Sequence, residues 1–326
     1  MNDFAELRTW ATVRQLEYIE AIEKYGSCTK AAKALGVNKD SVAGSIRSLR
    51  AFAAKNAPKT PEPVSPIRKG IKILVLPDVQ AKPGVNFDYL ARIGQYAVDK
   101  RPDVIVCIGD FADMPSLSSY DKGKKSFEGR RFKLDIEAAK DAMCAFLTPM
   151  WNHNKAHPKD QFKPRMVMTL GNHEDRISRV VNEDPKLHGL ISIEGSLEYH
   201  VDGWEVYDFL KVVEIEGIAF SHYFQTGVMG RPASSAQAQL NKKHQSCVAG
   251  HQQGLQMVCS NTASGSLIWS VIIGSCYEHE EQYMGPQGNA HWRGFLMMHD
   301  CRDGTYDPMP VSLNYVNQRY AHIRAE

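Results

Sequence analysis

The apolar positions along the chain change their period near residue 70. Before it, Leu16, Ile19, Ile22 and Tyr25 recur at three-residue steps, and Val42, Ile46 and Leu49 at steps of four and three. That spacing predicts helices with one apolar face. After it, the apolar residues come in short uninterrupted runs: "IKILVLPDVQ", "RPDVIVCIGDFAD", "RMVMTLGNHED", "GIAFSH" and "SCVAGHQQG". Each reads as a buried strand that stops at polar residues: Asp78 and Gln80; Asp110 and Asp113; Asn172 and His173; His222; His251 and Gln253. Helical stretches over about 84–99 and 133–153 separate the first three runs. Strands alternating with helices predict a largely parallel sheet. Such sheets bind ligands outside the carboxyl ends of their strands. Five strand ends therefore deliver Asp, Asp, Asn-His, His and His to one edge.

In the N-terminal part, Gly26 ends one helix and Ser27 or Thr29 caps the next. "TKAAKAL" is a short helix, "GVN" a tight turn and "KDSVAGSIRSLRAFA" a third helix. On "AAKALGVNKDSV" the segment resembles the DNA-binding helix-turn-helix domains of bacterial and phage regulators. The resemblance makes the third helix the recognition helix, with Lys39, Asp40, Ser41 and Ser45 toward bases and Arg47 and Arg50 toward phosphates. A three-helix module that docks on protein, or only packs, is the alternative. "KNAPKTPEPVSPIRKG" holds four prolines in a polar run and reads as a semi-stiff linker. The expected division is a helical domain over 1–53, a linker over 54–70 and a large domain over 71–326.

Composition adds three things. With 326 residues and 43% hydrophobic content, the chain is long enough for a large and a small domain. The net charge of +2 hides an asymmetry, because residues 1–70 hold twelve Lys/Arg against seven Asp/Glu. A basic N-terminal segment on a mildly acidic body points to an anionic partner there. The seven cysteines form no CxxC pair and several sit inside apolar runs, which reads as reduced thiols in a cytoplasmic protein. "MNDFAELRTW" lacks a signal-peptide pattern, and no apolar run reaches the length of a membrane span, so no membrane partner is expected.

Mixed carboxylate, amide and imidazole side chains suit divalent cations such as Mn²⁺, Fe²⁺ or Zn²⁺. The order "DVQ" (78–80), "GDFAD" (109–113), "GNHE" (171–174), His222 and "GHQQ" (250–253) resembles the calcineurin-like metallophosphoesterases. The resemblance implies an α/β fold, a sandwich of two mixed β-sheets flanked by helices. It implies that Asp110 bridges two metals, that Asn172, His222 and His251 complete one site, and that Asp78 anchors the other. His173 would act on the leaving group, oriented by Asp113. Two departures fall on one metal site, since Gln80 and Gln253 stand where the family has histidines. A neutral amide oxygen is a weak ligand, so that site is expected to be weak and to favour Mn²⁺ or Mg²⁺ over Zn²⁺. A third departure is Met114, where the family has an arginine.

The stretch "SSYDKGKKSFEGRRFK" follows Asp113 closely. Its Lys124, Lys125, Arg130 and Arg131, interleaved with aromatics, suit a nucleic-acid backbone, and a solvated loop is the competing reading. Together with the N-terminal module these residues favour a DNA phosphodiesterase, that is, a nuclease. A phosphatase or small-nucleotide phosphodiesterase is one alternative, and a DNA-binding regulator with a silent phosphoesterase body is another. The fusion looks like a phage or prophage gene product acting in a bacterial host cell, which is analogy alone. Many nucleases of the family it resembles act as dimers, which makes a homodimer a candidate assembly, although no interface is legible in the sequence.

Overall fold

The computed structural model describes residues 4–56, 69–281 and 284–325. The chain divides into two compact units, Met1–Ile67 and Arg68–Glu326. Most of the expected linker, residues 57–68, lies outside the described residues.

The first unit is helical, with α1 (Ala5–Arg8), α2 (Val13–Tyr25), α3 (Cys28–Leu35) and α4 (Lys39–Asn56). Its breaks follow from local chemistry. Thr12 and Gln15 form a reciprocal capping box at the start of α2. Gly26 adopts φ 81°, donates its N–H to Ile22 and stops the helix. Ser27 then caps α3 by accepting the Lys30 N–H at 3.3 Å. Ile19, Ile22, Ala31, Ala32, Val42, Ile46 and Leu49 pack into one small core, as their spacing requires. Helix α4 runs on to Asn56, past the expected edge at 53, and α1 has no apolar period to announce it.

The second unit is an α/β sandwich of two mixed sheets flanked by helices. In the first sheet, β1 (Ile71–Leu76), β2 (Val104–Cys107), β3 (Arg165–Thr169) and β4 (Trp204–Tyr207) run parallel. The other edge of β1 pairs antiparallel with β10 (Gly294–Arg302), and β10 with β11 (Thr305–Ser312). The second sheet has the order β5-β6-β7-β9-β8, from β5 (Val213–Ile215), β6 (Ile218–Phe220), β7 (Cys247–Ala249), β8 (Gly254–Asn261) and β9 (Leu267–Gly274). Helices α5 (Asp88–Lys100), α6 (Phe132–Ala156), α7 (Asp175–Glu183), α8 (Ile193–Leu197), α9 (Ala236–Lys243) and α10 (Gly285–Asn289) lie between the strands in the chain, and α11 (Leu313–Arg319) follows the last of them.

The five strand ends therefore come from two sheets, as the family resemblance implied and in place of the single sheet read from the apolar runs. The reason is β4: it occupies the free edge of β3, so the fourth and fifth runs have to start a second sheet. The uninterrupted apolar runs reflect burial on both faces. Ile73, Val75, Val104 and Val106 face Val271 and Ile273 between the sheets. Leu74, Leu76, Ile105 and Cys107 face the other way and pack with Tyr89 and Phe146 of α5 and α6. Burying each such Val or Leu contributes about 1.5–3 kcal/mol. Among the described residues, no helix is long and apolar enough to cross a membrane.

Candidate metal centre

Three site residues have left-handed backbones that non-glycine residues rarely adopt: Gln80 at φ 48°, Asp110 at φ 50° and His251 at φ 67°. Such strain persists only where the surroundings over-determine it, and the bonds that do so are visible. The Gln80 N–H donates to Asp110 O at 2.8 Å, and the His251 N–H donates to Asp78 Oδ1 at 3.1 Å. Glu174 does more. Fully buried, it accepts the N–H groups of Asp110 (3.0 Å) and Gly171 (2.9 Å) on Oε2 and that of Ala112 (2.9 Å) on Oε1. It thus staples the loop after β2 to the loop after β3. Gly171 has no room for a side chain, because a Cβ there would meet the Asp110 amide and carboxylate.

On this frame four side chains converge. His222 directs Nδ1 at the Ile108 carbonyl, 2.9 Å away, so its N–H donates there and Nε2 faces inward. That Nε2 lies 2.9 Å from Asn172 Oδ1 and 3.3 Å from Asp110 Oδ2. His251 Nδ1 lies 2.8 Å from the same Asn172 oxygen. Ligand atoms of Asp110, His222 and His251 fall within 4.8 Å of one another. Burial opposes charge on His222, but Asp110 and Asp78 outweigh it and hold the ring up at about 9. Burial pushes His251 down to about 4, helped by charged His222. Burial also pushes the Asp78 carboxyl up to about 7. Asp110 is held below the ordinary carboxylate range: burial works against its charge, and His173 and His222 overcome it.

These residues fit a divalent cation. They offer a carboxylate, an amide oxygen and two imidazole nitrogens, a mixed set of the kind Mn²⁺, Fe²⁺ and Zn²⁺ accept. Asp78 Oδ2 is buried with no hydrogen-bond partner, a state that calls for a proton or a cation. Asp110, Asn172, His222 and His251 would hold the ion, with Asp78 beside them. The glutamines are placed differently. Gln253 Oε1 accepts the Tyr277 hydroxyl at 2.9 Å and the Ser275 hydroxyl as well. Gln80 is buried beside Asp110.

His173 sits at the edge of the cluster. Its backbone N–H donates to Asp110 Oδ1 at 2.8 Å, and its ring Nε2 is 3.6 Å from Asp110 Oδ2. Its Nδ1 is 2.9 Å from Asp113 Oδ1, an ion-pair contact that lies off the line of a good hydrogen bond. Burial disfavours the imidazolium, yet Asp110 and Asp113 together raise His173 above the usual imidazole range.

Behind Asp113 stands a second layer that the motifs do not announce. Arg176 donates to the carbonyls of Asp113 (2.6 Å) and Met114 (3.2 Å), so a guanidinium from α7 meets the loop where the family's arginine is missing. Lys82 Nζ is 3.8 Å from Asp113 Oδ2 and paired with Glu281, and Glu281 accepts from or pairs with His279 at 2.8 Å. His279 stacks on Tyr277, ring centres 4.4 Å apart. Arg176 closes "TLGNHEDR", so its position was a usable signal. Lys82 and Glu281 meet only through the fold.

The residues assigned to nucleic acid divide by unit. On α4, Lys39, Ser41, Arg47 and Arg50 are all exposed, with the Arg50 guanidinium 5.9 Å from the Phe4 ring. In the loop after Asp113, Lys125 and Arg131 are exposed, and Lys124 pairs with Asp121 at 2.9 Å. Arg130 is otherwise engaged: it donates to Pro115 O (3.0 Å) and Asp121 (2.8 Å), and fastens the loop.

A model of the family described as calcineurin-like phosphoesterase matches residues 71–244. A solved structure from Streptococcus pneumoniae, titled as a conserved protein and predicted phosphoesterase, is 10% identical; the match covers 74% of this chain and 98% of that one, with a TM-score of 0.29. A phosphoesterase from E. coli is 13% identical, with 75% and 100% covered and a TM-score of 0.33. No curated protein matches the sequence. The family match spans more than half of the chain and carries every strand end of the centre except that of β7, so the chain belongs to the calcineurin-like phosphoesterase family.

Proposed function

We propose that the protein is a metal-dependent DNA phosphodiesterase. The observation that carries the chemistry is the placement of His173, whose Nε2 faces the cluster while Nδ1 rests 2.9 Å from Asp113. A bound divalent ion supplies Lewis-acid polarisation of the phosphate and lowers the pKa of an attacking water. The chain does the rest. Asp110, Asn172, His222 and His251 fix where the phosphate sits. Asp113, which does not hold the ion, favours the imidazolium of His173, and a protonated Nε2 at the phosphate is the group that hands a proton to the leaving oxygen. Burial opposes the charge on Asp113, but His173 itself, with Lys82 and Arg176 behind, holds the carboxyl below its usual range and ionised.

DNA as the substrate is supported by the exposed Lys39, Ser41 and Arg47 on α4 and by the exposed Lys125 and Arg131 in the loop after Asp113. The test is incubation of the purified protein with supercoiled plasmid and with linear single-stranded DNA, each with Mn²⁺, Mg²⁺, Zn²⁺ or EDTA. Metal-dependent nicking or degradation that vanishes in His173→Ala is the expected result. Hydrolysis of a chromogenic phosphomonoester without any attack on DNA would move the assignment to a phosphatase. Inactivity on every substrate would favour a DNA-binding regulator. Removing Arg47 and Arg50 together should weaken DNA binding and flatten its salt dependence.

A further inference from the structure

The acidic residues of this chain have a gap. Of 37 Asp and Glu in 326 residues, none falls between Gly217 and Tyr277, a run of sixty-one residues. The only permanent charges in that run are Arg231, Lys242 and Lys243. Its polar surface is made of Gln, Asn, Ser and Thr. At the chain's average density several acids would fall in a run of this length. Core packing accounts for the strand residues but not for exposed Gln225, Gln237, Asn241, Ser260 and Asn261. A stretch that adds no negative charge of its own and offers neutral donors lowers the repulsion a polyanion meets there.

A cleft lies in this acid-free run. It has a volume of about 760 Å³ and forms between the loop 226–234 and helix α9. Helix α9 lends it Ala238, Asn241 and Lys242, which share one helical face. The loop lends Arg231 and Met229, the latter 91% exposed at its tip. Among the described residues, neither Arg231 nor Lys242 pairs with an acid. The loop is anchored on the strands that carry two of the metal ligands. It leaves β6 just after His222, and the Ala233 N–H returns to Phe224 O at 3.0 Å. On the other side the Gln252 side chain, next to His251, donates to Ala233 O. Three residues before Thr226 of the cleft wall in the chain, Tyr223 is half-buried against the cluster, its ring centre 4.8 Å from that of His251.

We propose that this cleft holds the single DNA strand that flanks the scissile phosphate, with Arg231 and Lys242 on the backbone. Met229 and Tyr223 offer bases an adaptable and a flat apolar contact. The proposal rests on the nuclease reading and extends it, because it says which side of the centre the strand follows.

The test measures binding of a short fluorescein-labelled oligothymidylate by anisotropy, with EDTA present so that nothing is cut. It uses the full-length chain carrying Arg47→Ala and Arg50→Ala, which removes the α4 contribution. Adding Arg231→Ala with Lys242→Ala should weaken binding about tenfold at low salt and reduce the salt slope by about one to two. Asn241→Asp changes one atom and adds the charge the run excludes, and it should weaken binding several-fold. Unchanged affinity and slope in both variants, with melting midpoints like the parent, would overturn the proposal, as would a parent that does not bind the strand. Cleavage of the same oligonucleotide by the wild type with Mn²⁺ is scored separately. Binding lost in the variants but no cleavage by the wild type sinks the nuclease reading and leaves the cleft. Cleavage with unaltered binding does the reverse.

Discussion

The two halves of the metal centre are both built on strand ends and differ in what those ends carry. One half has Asn172, His222 and His251 converging within hydrogen-bond distance on a shared point. The other has Asp78 with an unpartnered buried oxygen, and Gln253 turned to the hydroxyls of Ser275 and Tyr277. The backbone strain at Gln80, Asp110 and His251 is present on both sides. A fold can therefore keep the scaffold of a site after replacing its ligands. The difference lies in side-chain chemistry: an imidazole presents a strong nitrogen donor, whereas an amide oxygen is weak and already taken by two hydroxyls.

The largest effect should come from the intact half. His222→Ala should lower kcat/KM on the order of a thousandfold and weaken the tightest metal site, read by hydrolysis and by calorimetry. A comparable loss in Gln253→Ala would erase the distinction between the halves. Next, His173→Ala should cost about 10²–10⁴-fold in kcat on alkyl esters and far less on nitrophenyl esters, whose leaving group needs no proton, with metal affinity preserved. Equal losses on both ester types would show that His173 does something other than protonate. Glu174→Gln should cost about 3 kcal/mol of stability in a urea titration, since it sets an amide N–H₂ against backbone N–H groups. The smallest change tests the weak half directly. Gln253→His should raise the metal stoichiometry seen by calorimetry without altering the tight site.

The halves also separate by pH. In the metal-free protein His222 is raised to about 9. The stability this contributes is complete below the ordinary imidazole range and is lost as pH climbs through 9. Asp78, raised to about 7, acts in the same direction, because its buried charge costs more as it ionises. EDTA-treated protein should therefore melt at a lower temperature at pH 9 than at pH 6.5. Metal affinity should rise about tenfold per pH unit below 9, as the proton on His222 ceases to compete. Affinity that is flat with pH would mean that His222 is not the ligand that exchanges a proton for metal.

Much of this was legible in the chain. The five apolar runs became strands, and the polar residues that end them lie at the centre, because two-sided burial writes itself as uninterrupted apolar sequence. The apolar steps of Ile19, Ile22, Val42, Ile46 and Leu49 mark the small helical core for the same reason. Glu174 was in view, inside "GNHE", but nothing in a sequence tells a ligand carboxylate from one spent on three backbone amides. The family resemblance implied the two sheets, but the apolar runs alone did not say which strands go where, because pairing depends on which edge β4 covers, and the run that makes β4 is partly polar. Lys82, Glu281 and His279 were invisible since their contact joins distant parts of the chain. Arg130, read as a contact for nucleic acid, is spent on Pro115 and Asp121.

The pairing of β1 with β10 has a consequence for how this protein is made. Ile73 of β1 sits between Val104 of β2 on one side and Met298 of β10 on the other. One side of the sheet's first strand therefore waits for residues more than two hundred positions later to leave the ribosome. Until then β1 presents an unpaired apolar edge, and contacts this distant in sequence form slowly. The helical unit needs nothing beyond Asn56 for its own core. Ribosome-bound chains that stop before Gly294 should show a protease-resistant N-terminal unit and a digestible body. During synthesis, then, the basic module completes its own core before the phosphoesterase body behind it has closed.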